Sequence, residues 1–218
     1  MKRNNLALAL GGVLAACNVN ALTIDSFDTL QANKRVINGD SVVTNNTSGA
    51  GVTYIGTSRD LSSQSTGTNS YTDASINFSF VSVLDMANNV NSTGVVYVQW
   101  YGISGPASDF TEAGNNFGLR ISLPAPIDNS LTVTFLVNGT SSAVQTFPDG
   151  SVGELFPFAF ASFSDPSVFT NVTELRMTMT GPTGWDAAVD LVETVPLPGT
   201  LMLMGIGLAG LARSVKRA

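Results

Sequence analysis

From Leu22 onward, apolar and polar residues alternate in short runs broken by turn residues, which is the pattern of antiparallel sheet. Ile76, Phe78 and Phe80 fall on one face, with Ser75, Asn77 and Ser79 on the other. Phe117, Leu119, Ile121 and Leu123 alternate with Gly118, Arg120 and Ser122. Val133, Phe135 and Val137 alternate with Thr132 and Thr134 and then meet Asn138-Gly139, a pair that tolerates positive φ and suits a type I′ turn. Residues 140–147 can return as the partner strand, and Asp149-Gly150 marks the next turn. Leu175, Met177 and Met179 oppose Glu174, Arg176, Thr178 and Thr180. Leu22–Phe27, Val52–Ile55, Val95–Tyr101, Leu155–Phe163 and Ala187–Glu193 complete the predicted strands. No helical period and no internal repeat interrupts them. About ten short strands in a domain of roughly 170 residues predict an all-β, antiparallel, jelly-roll-like sandwich. Residues 44–72 and 102–116, rich in Asn, Thr, Ser and Gly, are the predicted long surface loops.

The pattern changes at both ends. Lys2 and Arg3 precede a short apolar run, Leu6–Ala16, so residues 1–21 read as a secretory signal. Two cleavage readings compete. Val19-Asn20-Ala21 puts small residues where ordinary signal peptidase needs them, with a cut after Ala21. Leu14-Ala15-Ala16-Cys17 instead resembles a lipobox, in which Cys17 would be lipidated. Either reading exports the chain through the secretion machinery. At the other end no charge occurs from Val195 to Ala212, a run long enough for a helix to cross the bilayer's hydrocarbon core. Arg213, Lys216 and Arg217 follow it and would stay on the cytoplasmic side. The expected division is a signal at 1–21, a β-sandwich ectodomain at 22–194 and a C-terminal segment at 195–218, with its transmembrane helix at about 199–212.

Charge and composition narrow the chemistry. The net charge is −6, and all 16 Asp and Glu lie between Asp25 and Glu193, against only five of the ten Lys and Arg. So acidic a middle disfavours nucleic acid, which rewards clustered Lys and Arg. The sequence has no histidine, so it lacks the usual general base and the commonest metal ligand. Cys17 is the single cysteine, which leaves no intrachain disulfide and no Cys/His zinc site. A Ser–Lys dyad would have to use Lys34, which stands in no S-x-x-K context. A hydrolase working through two carboxylates stays open, but pairs such as Asp186 with Asp190, or Asp109 with Glu112, are arbitrary choices. Calcium is the candidate cofactor, because acidic jelly rolls supply Asp and carbonyl oxygens, although no D-x-[DN]-x-[DN]-G loop occurs. Tyr101 and Trp185 are candidate sugar-stacking residues. Trp100 shares a strand face with Val96 and Val98 and reads as core, whereas Tyr101 shares the opposite face with Tyr97 and Gln99.

The tail carries a resemblance. Val195-Pro196-Leu197-Pro198, then Gly205, Gly207, Leu208, Gly210 and Leu211, then Arg213, Lys216 and Arg217, resemble the PEP-CTERM protein-sorting domain in its VPLPA-type variant. Motif, small-and-leucine helix and basic end occur in that order at the terminus. The resemblance implies that an exosortase, a membrane enzyme akin to cysteine transpeptidases, recognises the chain and cuts near the prolines. The chain would then be a substrate of the reaction and not its catalyst. It would pass from an inner-membrane-anchored precursor to the surface or exopolysaccharide matrix of a Gram-negative bacterium. Pro196 and Pro198 restrict φ and disfavour helix, which would hold the site extended just outside the membrane. A carbohydrate-binding or adhesive module for that matrix is the alternative reading of the sandwich.

Overall fold

The computed structural model describes residues 21–47, 53–76 and 82–198. The predicted membrane helix at about 199–212, the basic residues Arg213, Lys216 and Arg217, and Cys17 lie outside the described residues. In chain order the strands are β1 (Thr23–Asp25), β2 (Gln31–Ile37), β3 (Ser41–Thr47), β4 (Ser58–Gln64), β5 (Tyr71–Ile76), β6 (Leu84–Asn88) and β7 (Val95–Tyr101). They continue as β8 (Asn116–Leu123), β9 (Leu131–Val137), β10 (Ser141–Phe147), β11 (Gly153–Ala159), β12 (Glu174–Thr180), β13 (Ala187–Val189) and β14 (Leu191–Pro196). All the pairings described are antiparallel. No helix among the described residues is long and apolar enough to cross a membrane.

Six strands form one sheet in the order β10-β9-β12-β7-β4-β3, and two four-stranded sheets run β1-β14-β8-β11 and β13-β6-β5-β2. The alternation read from the sequence decides which face is buried. In β7, Val96, Val98 and Trp100 are fully buried, as are Val133, Phe135 and Val137 of β9 and Leu175, Met177 and Met179 of β12. Phe135 of β9 meets Phe158 of β11 edge-on, with ring centroids 4.9 Å apart, so the six-stranded sheet packs on the first small sheet. Gln31 of β2 donates to the Thr44 and Arg59 carbonyls at 2.8 and 3.2 Å and ties the second small sheet to the same layer. The result is a sandwich with one hydrophobic core. The predicted turn is present as well, with Asn138 at φ 50° and Gly139 at φ 67° between β9 and β10.

Three expectations are corrected. Residues 44–72 do not form one long loop, because β4 runs through Ser58–Gln64 between β3 and β7, and β5 begins at Tyr71. The inward positions of β4 are Arg59, Leu61 and Ser63, all fully buried, so polar residues there hide the alternation. Ala187–Glu193 is two strands, because the chain leaves one small sheet after Val189 and joins the other at Leu191. Val52–Ile55 contributes an isolated bridge between Tyr54 and Asp25 among the described residues, not a strand.

Candidate functional site

One compact unit runs from Ala21 to Val195. Its first and last strands lie side by side in the order β1-β14-β8. In the register, Thr23 is opposite Glu193 and Asp25 opposite Val192, with an irregularity between the two pairs. One residue further out the pairing tightens. The Thr194 amide donates to the Leu22 carbonyl at 2.9 Å, and the Leu22 amide donates to Thr194 Oγ1 at 2.8 Å. Asn116 Nδ2, at the start of β8, donates to the same hydroxyl oxygen at 2.9 Å. Thr194 is fully buried. Asn116 Oδ1 is buried with no partner among the described residues.

Charge fixes β1 in place. Asp25 and Arg59 are both fully buried, and Arg59 Nη1 reaches the Asp25 carboxylate at 2.7 and 3.0 Å. The indole N–H of Trp100 and the Phe27 amide each donate to that carboxylate at 2.8 Å. Arg59 also donates to Gln31 Oε1 at 2.9 Å and to the Thr29 carbonyl at 2.6 Å. Burial pushes the Asp25 carboxyl above its ordinary value, against the opposing pull of Arg59, Trp100 and Phe27. On β14, Glu193 forms an ion pair with Arg120 of β8.

The sequence-predicted motif therefore begins inside the sheet. Val195 and Pro196 are the last residues of β14 and are half-buried; Leu197 is half-buried outside it, and Pro198 is exposed. Ala21, the predicted signal-peptidase position, is half-buried one residue ahead of the Leu22–Thr194 hydrogen bonds.

A second region is the outward face of the six-stranded sheet. Tyr97 and Tyr101 point away from the core, with Arg176 4.7 Å above the Tyr97 ring. Arg176 Nε donates to Gln99 Oε1 at 2.6 Å, and Gln99 Nε2 donates to Glu174 at 3.4 Å. Burial, with Asp60 beside it and hydrogen-bonded to it, pushes the Tyr101 phenol above its ordinary value. Register places Asp60 next to Gln99 and Ser58 next to Tyr101, so these groups share one surface.

Trp185 lies in the turn before β13. Its side chain is fully buried, and its indole N–H donates to the Gly94 carbonyl at 3.2 Å. It fastens the turn before β13 onto the sandwich. Among the described residues no group of three His, Cys, Asp or Glu side chains comes together that would hold a metal ion. Sequence reasoning missed Asp25, Arg59, Thr194 and Asn116. No motif links them, and only the need of the buried Trp100 indole for an acceptor hinted at one of them.

Comparison with known proteins adds three findings. No curated protein matches the chain. The fold is similar to the family 11 carbohydrate-binding module of a cellulosomal cellulase of Clostridium thermocellum, at 13% identity over 83% of this chain and 97% of that one, with a TM-score of 0.42. It is likewise similar to the Clostridium thermocellum family 11 module in complex with a β-1,3-1,4-mixed-linked tetrasaccharide, at 13% identity over 83% and 98% of the chains, with a TM-score of 0.40. The C-terminal segment matches a family model: residues 194–217 match the PEP-CTERM protein-sorting motif.

Proposed function

We propose that this chain is an exported, non-enzymatic surface or matrix protein whose β-sandwich is the cargo of its own C-terminal signal, read and cut by an exosortase. The sorting motif at 194–217 carries this reading, and its start at the end of the last strand, β14, supports it. Its roles divide by chemistry. The prolines hold the chain out of helix, the apolar run keeps the substrate beside a membrane enzyme, and Arg213, Lys216 and Arg217 orient it. The test is to express the full chain in an exosortase-bearing host and in its exosortase-deleted derivative. Tail loss and release in the first alone support the reading. Full-length chain in the membranes of both hosts leaves a plain anchor.

The outward face favours a second reading, in which the delivered sandwich binds a neutral glycan of the matrix. Tyr101 offers an aromatic surface on a strand whose flanking polar groups, Asp60, Gln99, Glu174 and Arg176, match sugar hydroxyls. Affinity electrophoresis in gels cast with matrix polysaccharide would show retardation lost in Tyr101→Ala. Equal migration in every polysaccharide would sink this reading.

A further inference from the structure

We propose that the sandwich fold ends inside the sorting motif, at Pro196, and so sets where the tail is cut: the processed bond lies beyond Pro196. The second half of the proposal rests on the reading that a sorting enzyme removes the tail. The first half rests on the fold alone.

A protease-like enzyme grips its substrate as extended chain on both sides of the scissile bond, and that chain must offer free backbone edges. Thr194 has none to offer. It is fully buried in a strand lying between β1 and β8, with its amide on the Leu22 carbonyl and its hydroxyl accepting from Leu22 and Asn116. Val195 closes the compact unit. Pro196 has no N–H to continue a ladder, which makes it a natural end for β14. Leu197 lies outside the strand, and Pro198 is exposed. Val195-Pro196 and Leu197-Pro198 are tertiary amides, in which proline replaces the N–H that an enzyme would bind. Pro198-Gly199 is the first other bond with two residues beyond the strand ahead of it.

The clamp is β1 and the residue ahead of it. Without Leu22–Asp25, β14 would be the edge of its sheet and free to peel into an enzyme's cleft. The buried Asp25–Arg59 pair holds β1 down, and Thr194, the first residue of the matched motif, joins β1 to β14. Thr194 is thus a positioning residue. It acts through Leu22 and Asn116 and needs no contact with the sorting enzyme.

Two measurements on the full-length chain decide the proposal. The first is amide hydrogen exchange on protein purified from membranes in detergent. The Thr194 amide is expected to exchange at least ~100-fold more slowly than that of Leu197. Thr194→Val should shrink the ratio by ~10-fold or more, and Thr194→Ser, which keeps the oxygen, should preserve it. Equal exchange at Thr194 and Leu197 in the unsubstituted chain overturns the boundary without appeal to any variant. The second is the intact mass of protein released from exosortase-bearing cells. A C-terminus at Leu197 or beyond is expected, and one at Pro196 or earlier overturns the proposal. Chain that stays full length in the membrane would sink the sorting reading, while exchange would still decide whether the fold ends at Pro196.

Discussion

At the residue scale, the buried Asp25–Arg59 pair is the most exacting feature. Two opposite charges at zero exposure are stable together only because further donors and acceptors fill their remaining positions: Trp100, Phe27, Gln31 and the Thr29 carbonyl. Removing one partner leaves the other charge buried and uncompensated. Arg59→Met or Asp25→Leu alone should destabilise the fold by about 3–5 kcal/mol, while the double replacement should recover much of that loss. Urea unfolding of the three variants checks this; a double variant as unstable as the sum of the singles would refute the coupling. Asp109 behaves oppositely. Burial would raise its carboxyl, but donors from Thr111, Ala113 and Glu112 outweigh it and hold the group below its ordinary 3.8. A folded-state value below the unfolded one stabilises above the unfolded value, and the gain is lost as pH falls through the folded one. Asp109→Asn should therefore lower the melting temperature at neutral pH and lose that difference progressively as the medium is acidified below the ordinary carboxylate value. An unchanging difference across this range would show that the charge is immaterial.

At the element scale, strands with apolar alternation were legible, and those with polar interiors were not. Val95–Tyr101 matches β7 end to end, and Leu175, Met177 and Met179 lie on the buried face predicted for them. β4 escaped because Arg59 and Ser63 occupy core positions, and their partners come from strands remote in sequence. Trp185 shows the same limit at a turn. A tryptophan among Gly, Pro and Thr reads as a pin for the turn sooner than as a sugar platform, and only tertiary contact decides. Gly181 is the contact that settles it. A Cβ there would lie 2.5 Å from Trp185 Cγ and 2.8 Å from the Ser130 carbonyl oxygen, so the ring packs where any side chain would stand. Gly181→Ala should lower stability by about 1–3 kcal/mol through overpacking and alter Trp185 fluorescence. Unchanged emission and stability would mean that the ring has room to move aside.

At the scale of the whole molecule, the two ends of the compact unit close on each other. Leu22 and Thr194 are hydrogen-bonded in both directions across the antiparallel pair β1 and β14. Length, composition and strand pattern could not disclose this, because it depends on which strands become neighbours. The arrangement makes a stability prediction. A short Gly-Ser linker joining residue 195 back to residue 22 should be accommodated without distortion, because the ends already touch. Closing so long a chain removes unfolded-state entropy worth up to about 4–5 kcal/mol in the chain-entropy account, with strain and residual unfolded structure lowering the realised gain. Circularised ectodomain should therefore melt several degrees above its linear counterpart with the same far-ultraviolet dichroism. A lower melting temperature would show that the native ends do not meet as described, and the clamp on the sorting motif would lose its basis with them.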